Sequence, residues 1–252
     1  MNSTIQILDD EVHIWTASLV SSSQSLQGFW GELSGDERAK ASRYRFARDR
    51  DRYVAARGIL RRLLREYTGI EPRTLQFEYS VYGKPSLKRG SVEKDFCFNL
   101  SHSRDITVYA ITGGAAVGVD VEYIHPEMAW TEIAGNFFSR EEVQALRRLP
   151  LESRTLGFFS CWTRKEAYIK ARGEGLSLPL HHFQVSVDPY GPAELLSHFD
   201  DPSETNHWSL RQIVPVQGYM AAVAAQMRSF TILNRMWPSA SLFSSPRLAV
   251  HV

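Results

Sequence analysis

Cysteine is nearly absent from this chain: Cys97 and Cys161 are the only two in 252 residues. Two cysteines cannot build a disulfide framework, and both lie in apolar segments as reduced core residues. Long hydrophobic runs are missing as well. No stretch approaches the roughly 18 apolar residues that a membrane helix needs, which argues against a spanning protein. Net charge is small, at +1, so the molecule as a whole is not drawn to polyanions. The N-terminus carries Asp9, Asp10 and Glu11 in place of a basic and then apolar leader. Together these absences point to a soluble, cytoplasmic protein.

The composition that remains is that of a globular protein, with 43% hydrophobic and 23% charged residues, enough for a packed core throughout the body. The length suits two similar halves of roughly 100–120 residues each. An N-terminal half is expected over residues 1–116 and a C-terminal half over 117–228. A tail follows over 229–252. From Pro238 onward it is rich in Ser and Pro, without periodicity, and reads as poorly ordered. Charge is unevenly spread. Residues 38–65 hold eleven Lys or Arg against Asp49 and Asp51, a local excess of nine that suggests an anionic ligand or an acidic partner.

Periodicity gives a coarse map. Glu11–Leu19 alternates as a strand, and Ser34-Gly-Asp-Glu37 is an N-terminal capping pattern that opens a short helix. Asp49–Tyr67 reads as a helix with an apolar face of Tyr53, Ala56, Leu60, Leu63 and Leu64. Arg50, Arg57 and Arg61 fall on another face, by default a solvated one. Gly83-Lys84-Pro85 forms a rigid turn with one exposed cation. Phe96–Leu100 and Ile106–Ile111 read as strands. Gly113-Gly114 then signals a hairpin into a strand over Val117–Ile124. Thr131–Phe138, Arg140–Leu146 and Arg154–Arg172 are helical, and His182–Val187, Trp208–Val214 and Met220–Ala225 suggest a final antiparallel sheet.

Three carboxylates carry the chemistry. Asp120 and Glu122 stand two apart within Val117-Gly-Val-Asp-Val-Glu-Tyr-Ile124, so a strand points both to one face. Side-by-side carboxylates repel unless a cation or proton lies between them. A hard divalent ion accepts a few carboxylate oxygens together with waters and phosphates. The plain alternative is the solvent face of an edge strand, which the neighbouring Gly118 permits. Glu166 and Lys170 lie four apart on one helix, continuing a stripe that holds Phe159 and Trp162; the plain alternative is a surface ion pair. Ser101 and His102 are adjacent on an extended chain and point apart, so they form no dyad. A turn of small polar groups there suits phosphate oxygens.

Taken in order, these segments resemble the phosphopantetheinyl transferases of the Sfp type. The resemblance rests on Gly83-Lys-Pro-Ser-Leu87, Phe98-Asn-Leu-Ser-His-Ser103, Val117-Gly-Val-Asp-Val-Glu122, Phe137-Phe-Ser-Arg-Glu-Glu142, Trp162-Thr-Arg-Lys-Glu-Ala-Tyr-Ile-Lys170 and Gly173-Glu-Gly-Leu-Ser-Leu178. It implies an α+β fold of two similar α/β halves about a pseudo-twofold axis, with the active site in the cleft between them, in a monomer. It further implies transfer of 4′-phosphopantetheine from coenzyme A to a serine of an acyl or peptidyl carrier protein, with release of adenosine 3′,5′-bisphosphate. By the same resemblance Asp120, Glu122 and Glu166 hold Mg²⁺ or Mn²⁺, Glu166 takes the serine proton, and Lys170 neutralises the leaving phosphate. Lys84, Ser101 and His102 grip nucleotide phosphates, and Lys40, Arg43 and Arg57 are candidates for the coenzyme A 3′-phosphate. Three rival readings remain: another Mg²⁺-dependent phosphate or pyrophosphate enzyme, a module that binds nucleic acid through the 38–65 block, and a family-like scaffold that binds coenzyme A but has lost transfer. That block has little aromatic interleaving and no nucleic-acid motif.

Overall fold

A computed structural model describes residues 4–92 and 95–238. The chain opens with strand β1 (Glu11–Ser18), followed by helices α1 (Ser23–Glu32), α2 (Gly35–Ala41) and α3 (Ala47–Thr68). A short hairpin, β2 (Phe77–Tyr79) and β3 (Pro85–Leu87), leads to β4 (Cys97–Ser103) and β5 (Ile106–Thr112). The second half begins with β6 (Val117–Tyr123) and continues through α4 (Trp130–Phe137), α5 (Arg140–Arg148) and α6 (Arg154–Arg172). A second hairpin, β7 (Phe183–Val185) and β8 (Leu195–His198), precedes β9 (Ser209–Ile213), β10 (Tyr219–Ala225) and β11 (Thr231–Met236).

The two halves repeat one connectivity. β1 pairs antiparallel with β5 and β5 with β4, while β6 pairs antiparallel with β10 and β10 with β9. The helices repeat a device as well. The Ser34 N–H donates to Glu37 at the start of α2, and the Ser139 N–H donates to Glu142 at the start of α5. Each of these buried carboxylates meets a cation from the long helix that follows, Arg61 at 2.7 Å and Lys165 at 2.8 Å. Both cations also donate to backbone carbonyls, of Pro72 and Leu75 in one half and of Leu180 and Phe183 in the other. Arg61 stands eight residues before Gly69 and Lys165 eight before Gly173, and each glycine ends its helix in the left-handed conformation.

The body of each half has its own apolar core, and a third cluster lies between the two main sheets. Val12, Ile14, Val108 and Ala110 meet Val117, Val119, Val121, Ala221 and Val223 there. β6 therefore buries its odd-numbered residues against the other sheet and turns Gly118, Asp120 and Glu122 the other way. Packed on that second face is α6: a Cβ built at Gly118 would lie 2.2 Å from the Ala167 carbonyl oxygen and 2.2 Å from the Ala171 nitrogen. Only a residue without a side chain lets the helix backbone press so closely on the strand.

Gly113-Gly114 does not turn a hairpin, because β6 leaves the β4–β5 sheet and pairs with β10 in another. β7 pairs with β8 in a separate hairpin, so β6, not the 182–187 segment, completes the sheet of β9 and β10. Residues 229–252 are not a tail throughout: β11 returns to the first sheet and runs parallel to β1, with Ile232 opposite Val12. The rest of the Ser- and Pro-rich segment, 239–252, lies outside the described residues. Ser101 and His102 belong to β4 itself; the turn falls at Arg104 and Asp105, where Arg104 takes a φ of 50°.

Candidate active site

The site forms where β4, β6 and α6 meet. β4 is the edge of the first sheet and β6 the edge of the second. Polar side chains of β4 cover the free edge of β6. Asn99 Oδ1 accepts the Val119 N–H at 2.9 Å, and Ser103 Oγ accepts the Tyr123 N–H at 3.1 Å. The two serines also reach the carboxylates: Ser101 Oγ donates to Asp120 Oδ1 and Ser103 Oγ to Glu122 Oε2, each at 2.9 Å. From α6, Lys170 Nζ donates to Asp120 Oδ1 at 2.5 Å and to Ser101 Oγ at 3.0 Å.

Electrostatics tie the third acid to this group. Burial pushes Glu122 up to about 7, aided by Asp120 and more weakly by Glu166, while Ser103 and Lys170 oppose the shift. Glu166 is also raised, by burial first; Lys170 opposes and Asp120 reinforces. The acids Asp120, Glu122 and Glu166 thus share one neighbourhood, brought together by the close approach of α6 at Gly118.

The chemistry of these carboxylates suits a divalent cation. Among the described residues no three His, Cys, Asp or Glu groups stand ready as a cage. Asp120 Oδ2, however, is buried and has no hydrogen-bond partner, while its other oxygen is taken by Ser101 and Lys170. An orphaned buried carboxylate oxygen is costly unless something positive completes it. A hard, oxygen-seeking cation such as Mg²⁺, which keeps several waters and takes carboxylate and phosphate oxygens, suits such a place.

The other candidates lie as follows. Glu166 and Lys170 line a cavity of about 310 Å³ with Tyr82, Lys84, Asn99 and Gly173. Lys84 is not the exposed cation expected. Its ammonium turns inward and donates to the carbonyls of Val117 and Ala171, both at 3.0 Å, which ties the β2–β3 hairpin to β6 and to the end of α6. Burial lowers it to about 8. His102 faces away from the serine rungs, at the surface; partial shielding, then Lys170 and Arg52, hold its imidazole below the usual range.

Five cations of the basic block pair with acids outside it, two of them in the interior. Arg57 and Arg61 are buried and share Glu37, while Arg57 also donates to the Tyr79 hydroxyl. Arg52 pairs with Asp105, Arg62 with Glu32 and Arg65 with Glu71. Arg57 and Arg61 thus do not lie on a solvated face. Lys40 and Arg43 do stay exposed, near the end of α2, and the Lys40 ammonium sits 5.5 Å from the centre of the Tyr53 ring. Asn99 and Ser103 have no individual role in the sequence, and Gly118 suggests only a strand edge; β6 is an edge strand, and Gly118 also admits α6 there. The signal was present in β4: Asn99, Ser101 and Ser103 alternate at every second residue in a strand.

Comparison with known proteins identifies the family. A family model described as the 4′-phosphopantetheinyl transferase superfamily matches residues 116–224, and one described as 4′-phosphopantetheinyl transferase, N-terminal, matches residues 18–113. The 4′-phosphopantetheinyl transferase HetI of Nostoc sp. is 38% identical over 220 residues, spanning 87% of this chain and 90% of its own. The 4′-phosphopantetheinyl transferase psf-1 of Bacillus pumilus is 36% identical, covering 71% of this chain and 74% of its own. The 4′-phosphopantetheinyl transferase Sfp of Bacillus subtilis is 28% identical, covering 83% and 89%. With similarity of this extent across both halves, the chain belongs to the 4′-phosphopantetheinyl transferase family.

Proposed function

We propose that this phosphopantetheinyl transferase moves the 4′-phosphopantetheine group of coenzyme A to a serine hydroxyl of an apo acyl or peptidyl carrier protein. The serine oxygen bonds to the pantetheine-side phosphorus, the bond from that phosphorus to the bridging oxygen breaks, and adenosine 3′,5′-bisphosphate leaves. Asp120, Glu122 and Glu166 are the residues that would hold Mg²⁺ or Mn²⁺. When bound, such an ion offsets both the crowded carboxylates and the phosphate charge.

The protein's own groups do the rest. Glu166, whose proton affinity is raised by burial, accepts the serine proton; a base works best when its pKa lies near the working pH. Lys170 neutralises charge that grows on the leaving phosphate. Ser101 on the inner face of β4 and His102 on its outer face meet different phosphates of the nucleotide, while Lys84, bonded to the Val117 and Ala171 carbonyls, fixes the end of α6 beside them. Lys40 and Arg43 take the 3′-phosphate. Arg57, engaged with Glu37, supports this region from inside.

The reaction occupies the cleft between two halves related by a pseudo-twofold axis, and the protein acts as a cytoplasmic monomer. The repeated strand order and the paired Glu37–Arg61 and Glu142–Lys165 bridges support that symmetry. Burial of Arg57 and Arg61 against Glu37 removes two cations of the basic block from the surface, which weighs against the nucleic-acid alternative. A single observation carries the reading: the orphaned Asp120 oxygen amid Glu122, Glu166 and Lys170. The test incubates the protein with coenzyme A, Mg²⁺ and a panel of apo carrier proteins. Gain of one phosphopantetheine mass on a carrier supports the proposal. Cleavage of coenzyme A with no carrier modified would instead identify a pyrophosphatase.

A further inference from the structure

We infer that Ser103 is a positioning residue for Glu122, and that it sets how tightly the site holds its divalent cation. Two hydrogen bonds meet at one hydroxyl. Ser103 Oγ accepts the Tyr123 backbone N–H at 3.1 Å and donates to Glu122 Oε2 at 2.9 Å. The accepted bond fixes the oxygen against the β6 backbone. The donated bond then directs the hydroxyl hydrogen at the carboxylate. The acid is held by a group anchored to the residue that follows it in the same strand.

The arrangement differs from that of Asp120. Ser101 donates to Asp120, but Lys170 approaches both Ser101 and Asp120 from α6. Asp120 therefore has two supports on two elements. For Glu122 the structure gives one side-chain hydrogen bond, from Ser103. Asn99 completes the pattern, since its Oδ1 accepts the Val119 N–H at 2.9 Å and keeps β4 in register with β6. A hydroxyl on the first side-chain carbon of residue 103 can accept from the backbone and donate to the acid at once; a methyl group can do neither.

Carboxylates that bind metals are commonly oriented by such outer hydrogen bonds, and loss of one weakens metal affinity by about 10–100-fold. This inference rests on the reading of Glu122 as a metal ligand. Its test reads binding directly, by titrating Mn²⁺ against the full-length protein, with and without coenzyme A, and following free Mn²⁺ by electron paramagnetic resonance. Ser103→Ala is expected to weaken Mn²⁺ binding by about tenfold or more, with the melting temperature tracked in parallel. Ser103→Thr, which keeps the hydroxyl, is expected to restore the affinity. At saturating Mn²⁺ the Ala variant regains most of its turnover, and its KM for coenzyme A matches that of the parent. Unchanged Mn²⁺ affinity in Ser103→Ala overturns the inference, as does failure of Ser103→Thr to restore it in a folded protein. Loss of Mn²⁺ binding in the variant while the parent modifies no carrier keeps the positioning role and refutes the transfer reading instead.

Discussion

Gly118 lies against Ala167 so closely that a Cβ on the glycine would stand 2.2 Å from the alanine's carbonyl oxygen. That contact sets the distance between β6, which carries Asp120 and Glu122, and α6, which carries Glu166 and Lys170. Gly118→Ala forces backbone to yield to backbone. Overpacking of this kind costs about 1–3 kcal/mol, so thermal unfolding should show a lower melting temperature. Transfer activity should fall further than stability alone accounts for, because α6 moves away from β6. A variant with parental activity would mean that the α6–β6 spacing does not govern the site.

Glu122 gives the metal-free protein a distinctive pH dependence. Its folded-state value near 7 lies above the ordinary carboxylate value of 4.5. Between these limits the folded protein binds the proton more tightly than the unfolded chain does. The contribution of Glu122 to stability is therefore full below about pH 4.5 and is lost as pH rises through 7. Glu122→Gln removes this dependence. Melting temperatures of the metal-free parent and variant, taken from pH 5 to 8, should diverge with rising pH in favour of the variant. Parallel curves would contradict the assignment of Glu122 to a buried, acid-crowded position.

Lys40 and Arg57 separate by function. Arg57 is buried and bound to Glu37, whereas Lys40 is exposed. Breaking a buried ion pair costs on the order of 3–5 kcal/mol, and Arg61 still faces Glu37, so Arg57→Ala should fall near the lower end. For a chain of this length that is a drop of roughly 2–4 °C per kcal/mol. Lys40→Ala should leave stability within about 0.5 kcal/mol and raise KM for coenzyme A. Calorimetry together with steady-state kinetics checks both. An intact melting temperature in Arg57→Ala, joined to a raised KM, would return Arg57 to the ligand side.

Much of this was legible in the sequence where the signal is local. The limits of α6 follow from its apolar periodicity and from Gly173, and the common face of Asp120 and Glu122 follows from strand alternation. The failures have one cause, which is partnership across distance. Arg57 and Arg61 look like a wet face until Glu37, more than a helix away, is brought beneath them. Lys84 looks exposed until the carbonyls of Val117 and Ala171 arrive from the second half. Nothing near Thr231 announces that β11 pairs with β1 at the far end of the chain. Gly118 reads as permissive of an edge, and only the packed helix shows it to be a point of close approach.

The central claim is that Glu166, together with the acids of β6, performs transfer. The most direct measurement is the intact mass of an apo carrier protein after incubation with coenzyme A, Mg²⁺ and either the parent protein or Glu166→Gln. One added phosphopantetheine is expected with the parent, and a loss of rate of at least about 10²-fold, as for a missing general base, with the folded variant. Equal rates of modification by the two proteins, or no modification by the parent with any carrier, would contradict it.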